Sequence, residues 1–138
     1  MDFRRPLKDV LKKQFPTVNI EDTLKAAIKT MARDNTSALL VKQDGNLVGV
    51  ITLSDILYSL AREEDPETIK VATFMTSCEL LTTKGAKTPC AQLDEDENLL
   101  SAIKVMNEAG VSHILVSGSS GEPAGMVSSL EIIKMLTA

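Results

Sequence analysis

Several residue types that carry common functions are scarce in this chain of 138 residues. It has no tryptophan, one tyrosine and three phenylalanines, and its formal net charge is −4. A surface that binds nucleic acid usually needs a basic patch, often with aromatic rings that stack on the bases. The composition therefore argues against a nucleic-acid partner.

Cysteine and histidine are also rare. The two cysteines, Cys78 and Cys90, are too few for a disulfide framework, and a cytosolic chain keeps such residues as thiols. They flank a segment that has no counterpart elsewhere in the chain and could pair or bind a metal, but two unrelated thiols are the favoured interpretation. His113 is the single histidine, so no histidine cluster predicts a zinc site. We therefore expect no metal and no required cofactor.

Long apolar runs are missing as well. None approaches the roughly 18 residues that a membrane-spanning helix needs. The first residues, MDFRRPLKDV, lack the apolar stretch of a secretory signal, so we expect a cytoplasmic protein with no membrane partner. The length and the hydrophobic content of 43% fit one compact unit with an ordinary core.

What the chain does contain is a repeat. Residues 22–41 match residues 97–116, which lie 75 positions later, and residues 49–60 match residues 125–136, which lie 76 positions later. Within these stretches AIKTM aligns with AIKVM, and both buried runs end in Leu-Val. Self-similarity at a fixed offset indicates two copies of one supersecondary unit.

Each copy predicts five elements in the order β-α-β-β-α. A short extended segment (PTVNI or CAQL) and an acidic stretch precede an amphipathic helix, whose apolar residues recur at helical spacing. A buried strand (SALLV or HILV) and a returning strand (LVGVI or AGMV) follow. In the first copy Asp44-Gly45 is a strong hairpin-turn signal between these strands. The last helix is predicted from Leu53 to about Ala61, and from Leu130 to the end.

The doubled pattern, the run LLVKQDGNLVGVITLSD and the lead-in segments PLKDVLKK and VATFMTS resemble a tandem pair of CBS domains, a regulatory unit called a Bateman module. Leu39 and Lys42 stand where first copies of this family often have Pro and Asp. The resemblance implies an α/β (α+β) fold of two pseudo-symmetric β-α-β-β-α motifs packed through their sheets. The fused enzyme or transporter segment of many family members is missing from this sequence, so we expect a stand-alone module.

The predicted boundaries follow from the repeat. We expect a first motif at residues 6–62, a charged linker at 63–70 and a second motif at 71–138. An insert at about 79–89 has no counterpart in the first copy.

Family members often bind AMP, ADP, ATP or S-adenosylmethionine in clefts between the two copies, and modules commonly pair into a flat dimer. The resemblance therefore implies a regulatory or sensing module with an adenosine-containing ligand and a regulated partner protein. The alternative is a non-catalytic dimerisation or interaction module with vestigial or empty sites. We expect no enzyme and no catalytic residues, because a single histidine without an evident nucleophile or carboxylate partner makes no catalytic set.

The stretch GVITLSD, residues 49–55, contains the main candidate site. Thr52 and Asp55 match a capping box, in which a hydroxyl and an acid satisfy backbone N–H groups at a helix start. The same helix start suits a phosphate, and the Asp55 carboxylate suits the 2′ and 3′ hydroxyls of a ribose. Gly49 either permits a close backbone approach or simply begins a strand. The family resemblance favours a ligand at this first motif.

The full set of candidate ligand residues follows from the resemblance. In the first motif these are Val18, Ser37, Ala38, Leu39, Gly49, Thr52 and Asp55. In the second motif, which we expect to bind more weakly, they are Ser112, His113, Ile114, Ser128 and Glu131. Glutamate is longer by one methylene and is the preferred acid of a capping box, so Glu131 can fold back onto its own helix.

A homodimer is predicted from the two final helices of the copies. Their apolar positions exceed what one small module covers, and uncovered apolar surface usually marks an interface. The positions are Ile56, Leu57, Leu60, Ile132, Ile133 and Leu136.

Overall fold

The computed structural model describes residues 1–12, 14–78, 90–118 and 123–137. Within these ranges the elements follow the order β-α-β-β-α twice, which confirms a mixed α and β fold built from a repeat. The predicted insert at 79–89 lies outside the described residues. Among the helices of the described ranges, none has the length and apolar content to cross a membrane.

The first copy forms a hairpin flanked by two helices. Its elements are β1 (Thr17–Asn19), α1 (Leu24–Arg33), β2 (Ala38–Gln43), β3 (Asn46–Thr52) and α2 (Leu53–Ala61). Strand β1 pairs parallel to β2, and β2 pairs antiparallel to β3. At the turn, Asp44 and Gly45 have φ angles of 51° and 79°, as a tight hairpin with two left-handed central residues requires.

A fourth strand is added to this sheet by the lead-in segment of the other copy. A short helix, α3 (Val71–Phe74), precedes strand β4 (Thr76–Ser77). Strand β4 pairs antiparallel to β3, with Gly49 opposite Ser77. The sheet order is therefore β1-β2-β3-β4.

The second copy repeats the pattern of the first. Its elements are β5 (Gln92–Asp94), α4 (Leu99–Ala109), β6 (His113–Ser117), β7 (Pro123–Ser128) and α5 (Ser129–Leu136). The sheet order is β5-β6-β7, again parallel and then antiparallel. Thr23 and Asn98 cap the first helix of each copy by accepting from a backbone N–H in the first turn. The acidic stretches lie just before these caps.

The chain divides into two compact units that do not follow the sequence order of the copies. The first-copy unit is Phe15–Glu79, and the second-copy unit combines Met1–Gln14 with Leu80–Ala138. Leu7 and Val10 are part of the apolar core of the second-copy unit, whereas Val71 is part of the core of the first-copy unit. Each copy is thus completed by the lead-in segment that precedes the other copy.

The N-terminal lead-in is tied to the second copy by backbone hydrogen bonds. Leu7 N–H donates to Glu97 O over 2.7 Å, within a short 3-10 helix that covers Leu7–Asp9. Lys12 and Met126 exchange two bonds, of 3.0 and 3.2 Å. The Lys8 ammonium also lies 3.1 Å from Asp96, so a basic segment meets an acidic turn.

The expectation of two unrelated thiols is wrong. Cys78 and Cys90 are both disulfide-bonded. Sequence spacing could not show this, because a disulfide depends on how closely two Cα positions approach in the fold.

Candidate functional site

The end of the β2–β3 hairpin brings most of the first-motif candidates together. Ala38 lies opposite Thr52 in the antiparallel register. Leu53 N–H, the first of helix α2, donates to Ser37 O over 3.2 Å. Thr52 is the N-cap residue of α2, and Asp55 is the third residue of the helix. Because strand end and helix start coincide here, a hydroxyl, a carboxylate and strand backbone meet at one place.

Thr52 and Asp55 form a complete capping box. Asp55 N–H donates to Thr52 Oγ1 over 3.3 Å, and Thr52 N–H donates to Asp55 Oδ2 over 2.9 Å. The Thr52 hydroxyl also donates to Asp55 Oδ2 over 3.2 Å. The capping interpretation is therefore confirmed for this motif. These contacts use Oδ2 of the Asp55 carboxylate.

Gly49 is required by a close approach of strands. A Cβ at this position would lie 2.6 Å from Met75 Sδ and 2.9 Å from the backbone oxygen of Thr76. The thioether of Met75 can move, but the carbonyl oxygen belongs to strand β4. Of the two interpretations offered by the sequence, the close backbone approach is confirmed, and it needs no ligand.

Val18 and Leu39 lie in the apolar core of the first-copy unit. Val18 pairs with Val41, three positions along β2 from Ala38, which corresponds to about 10 Å of strand. The register therefore does not place Val18 beside Thr52. A ligand could reach Leu39 only through its backbone, since its side chain is fully buried.

The second motif has the same framework. His113 lies opposite Ser128, and Ser129 N–H donates to Ser112 O over 2.9 Å. Ser128 Oγ accepts from Glu131 N–H over 3.1 Å. Ile114, like Leu39, is fully buried in the core of its unit. The structure thus brings together Ser112, His113, Ser128 and the start of α5.

Of the two acids, only Asp55 completes a capping box. Asp55 folds back to the N–H of its N-cap residue, whereas the Glu131 carboxylate makes no hydrogen bond or ion pair within the described ranges. The longer side chain has one more torsion to fix, which raises the entropy cost of folding back. The expected fold-back of Glu131 is therefore wrong.

Two further observations concern the chemistry that is available to the described residues. They contain no group of three or more potential metal-ligating side chains. A pocket of about 290 Å³ lies in the second-copy unit, against α4 and α5. Its lining residues are Ile103, Met106, Asn107, Ser129, Ile132 and Ile133. None of the candidate ligand residues lines this mostly apolar pocket.

Comparison with known families gives one clear match. The family model described as "CBS domain" matches residues 7–62 and 85–138, which together cover most of the chain. A curated relative, homoserine O-acetyltransferase of Methanococcus vannielii, is 28% identical over 132 residues. The alignment covers 95% of this chain and 25% of the relative, so the chain spans about a quarter of that protein.

Solved structures share the fold at low identity. An uncharacterised conserved protein from Pyrococcus horikoshii gives a TM-score of 0.84 at 22% identity, over 100% of this chain and 96% of the other. The CBS domain pair of protein MJ0100 was solved in complex with 5′-methylthioadenosine and S-adenosyl-L-methionine. It gives a TM-score of 0.78 at 22% identity, over 96% of each chain.

Proposed function

The chain belongs to the CBS domain family, and from that premise we propose that it is a regulatory module that binds an adenosine-containing ligand at the Thr52–Asp55 motif. The observation that carries the proposal is the convergence of the capped start of α2 with the end of the β2–β3 hairpin. Support also comes from MJ0100, a CBS pair that binds two adenosine derivatives.

Each part of the ligand has a matching group at this site. The Asp55 carboxylate can accept from the paired hydroxyls of a ribose. Backbone groups of Ser37 and Ala38 lie beside Thr52 and can bond an adenine edge. The N–H groups of Leu53 and Asp55 already have partners within the motif. The remaining N–H group of the first turn of α2, that of Ser54, suits an anionic substituent such as a phosphate. AMP, ADP, ATP and S-adenosylmethionine all combine these features in part.

We expect Asp55→Ala to weaken binding about ten- to a hundredfold, because a charged hydrogen bond contributes roughly 1.5–3 kcal/mol. Calorimetry with each of the four ligands and 5′-methylthioadenosine measures this. Asp34→Ala, which removes an exposed aspartate paired with Arg33, is the matched control and should bind like wild type. Glu131→Ala should have the smaller effect of the two motif variants.

Two outcomes would contradict the proposal. If no ligand produces heat at millimolar concentration, the sites are empty. If Glu131→Ala abolishes binding while Asp55→Ala binds normally, the second motif is the site. Asp55→Asn separates the two roles of this residue, since its amide oxygen can still accept from Thr52 N–H while the charge is lost.

The alternative function is a dimerisation or interaction module without a ligand. It is favoured by the capping box itself, because the helix start of the first motif is already satisfied by its own side chains. A null result in all five titrations would select this alternative.

We also propose that the module forms a homodimer through α2 and α5. Of the six predicted positions, Ile56 and Ile132 are buried in the cores and Leu136 is half-buried. The other three, Leu57, Leu60 and Ile133, are 65%, 39% and 58% exposed. Further exposed apolar residues of these helices are Leu53, Tyr58 and Leu130. Each helix therefore has exposed apolar residues that a second copy of the chain would cover.

The dimer is tested by placing a charge on each exposed helix face. We expect the double variant Leu57→Lys, Ile133→Lys to have a monomer mass near 14.9 kDa by light scattering, while wild type has twice that mass. A lysine at Val111, which is 37% exposed and lies outside both helices, should leave the dimer intact. A wild-type monomer across micromolar concentrations would contradict the proposal.

A further inference from the structure

The apolar pocket of the second-copy unit, which we call the α4–α5 pocket, has a volume of about 290 Å³. Ser129 lines it at the start of α5, and the repeat places Leu53 at the equivalent position of the first copy. The smaller serine leaves space that a leucine side chain would fill. A cavity of roughly 150 Å³ already accepts a benzene ring, so the pocket is large enough for an aliphatic side chain.

Helix α2 of the first-copy unit has apolar side chains that suit such a pocket. Leu53, Leu57 and Leu60 recur at helical spacing along one face, and all three are exposed. Leu57 is the most exposed of them. Each chain therefore has an apolar ridge on one compact unit and an apolar pocket on the other. A ridge and a pocket on the same chain can fit together between two copies of it.

The charges of the helices decide which of these surfaces can face each other. From Leu53 to Asp65 the first copy has four acidic residues and one arginine, so two copies of α2 would bring like charges together. Helices α4 and α5 instead have two glutamates and two lysines, Lys104 and Lys134. Each lysine is exposed and directly follows a lining residue of the pocket. An acidic helix with exposed leucines is therefore better matched by the α4–α5 pocket than by a second α2.

We propose that two copies of the chain pair head to tail, with Leu57 of each copy inserted into the α4–α5 pocket of the other. This inference rests on the proposed homodimer and specifies which helices meet in it. In a two-fold dimer each pairwise contact occurs twice, so residue 57 of one copy meets residue 133 of the other in both directions. Ile133, an exposed lining residue of the pocket, is covered by this contact. The lysines beside the pocket then lie near the acidic helix.

The first test is a double-mutant cycle at residues 57 and 133. Head-to-tail pairing brings the two positions together, so Leu57→Glu, Ile133→Lys places opposite charges in each contact. Its dimer should bind about tenfold more tightly than the summed effects of the two single variants predict. In the matched variant Leu57→Lys, Ile133→Lys like charges meet, and its dimer should be about a hundredfold weaker than that of wild type. Analytical ultracentrifugation measures the dissociation constants, and circular dichroism checks that each variant is folded.

The second test uses a short bismaleimide, which cross-links free thiols. Cys78 and Cys90 are disulfide-bonded, so only introduced cysteines react. A mixture of Leu57→Cys and Ile133→Cys chains should give a covalent dimer on a denaturing gel. Each variant alone should stay a single chain, because identical residues do not meet in a head-to-tail dimer.

The possible results separate this arrangement from the homodimer itself. A wild-type chain that stays monomeric would overturn both. A wild-type dimer in which the effects of Leu57→Glu and Ile133→Lys simply add would overturn the arrangement alone, as would cross-linking of Leu57→Cys to itself. Assemblies larger than a dimer would show that the head-to-tail contact does not close, which would overturn the two-fold pairing.

Discussion

Gly125→Ala is expected to destabilise the second-copy unit by about 3 kcal/mol. A Cβ at Gly125 would meet Leu11 Cδ1 and the backbone oxygen of Lys12, and the residue has a φ of 155°. Lys12 exchanges two backbone bonds with Met126, so its carbonyl cannot move aside without breaking the pairing. Overpacking and backbone strain each cost roughly 1–3 kcal/mol. Thermal unfolding followed by circular dichroism should show a loss of about 10 °C.

Gly45→Ala is the matched control for this variant. Gly45 also has a positive φ, 79°, but no atom lies within 4 Å of the Cβ position. Only the left-handed conformation is penalised there, at about 1–2 kcal/mol. If Gly125→Ala costs no more than Gly45→Ala, the lead-in segment does not pack against β7 as described.

Leu7→Ala is expected to cost about 3 kcal/mol, because it removes a fully buried side chain from the core of the second-copy unit. Which part of the chain is destabilised is as informative as the size of the destabilisation. Hydrogen exchange should accelerate in β6 and stay unchanged in β2, although Leu7 precedes the first copy in the sequence. Leu100→Ala, at a leucine of α4 that is 39% exposed, should cost clearly less than Leu7→Ala. Acceleration in β2 instead of β6 would show that the segment completes the first copy.

The elements of each copy could be predicted from the sequence because their signals are local. Helical spacing of apolar residues, a hydroxyl at a helix start and the Asp44-Gly45 turn each act within a few residues. The predicted span of α2, Leu53 to Ala61, agrees with the structure. The meeting of Ala38 with Thr52 likewise follows from one hairpin and its register.

The exchange of lead-in segments could not be predicted in the same way. A short segment such as PLKDVLKK contains apolar residues, but its pattern does not indicate which copy these residues pack against. One signal was present, since the segment is basic and the turn before α4 is acidic. The contact between Lys8 and Asp96 is the result, and it raises the pKa of the Lys8 ammonium through a hydrogen bond and charge attraction. Surface charge pairs of this kind are too common to decide such a choice alone.

At the candidate site, the residue types were predictable but their hydrogen bonds were not. Asp55 and Glu131 occupy equivalent positions, yet only the aspartate bonds to the N–H of its N-cap residue. Whether the acid bonds to this N–H depends on its side-chain torsions, and a statistical preference for glutamate does not specify them. The disulfide was missed for a related reason, because the approach of two Cα atoms is a property of the whole fold.

The exchanged lead-in segments also set an order for folding on the ribosome. All of the first-copy unit has been synthesised once residue 79 is added, so its sheet can close early. Residues 1–14 are made before the first copy, but their partners in β7 and α5 are made after it. At about 5–20 residues per second, the apolar side chains of this segment wait on the order of 10 s for their core. A nascent chain therefore exposes this basic and apolar segment until the second copy has been made, and a chaperone that recognises such segments can bind it in that time.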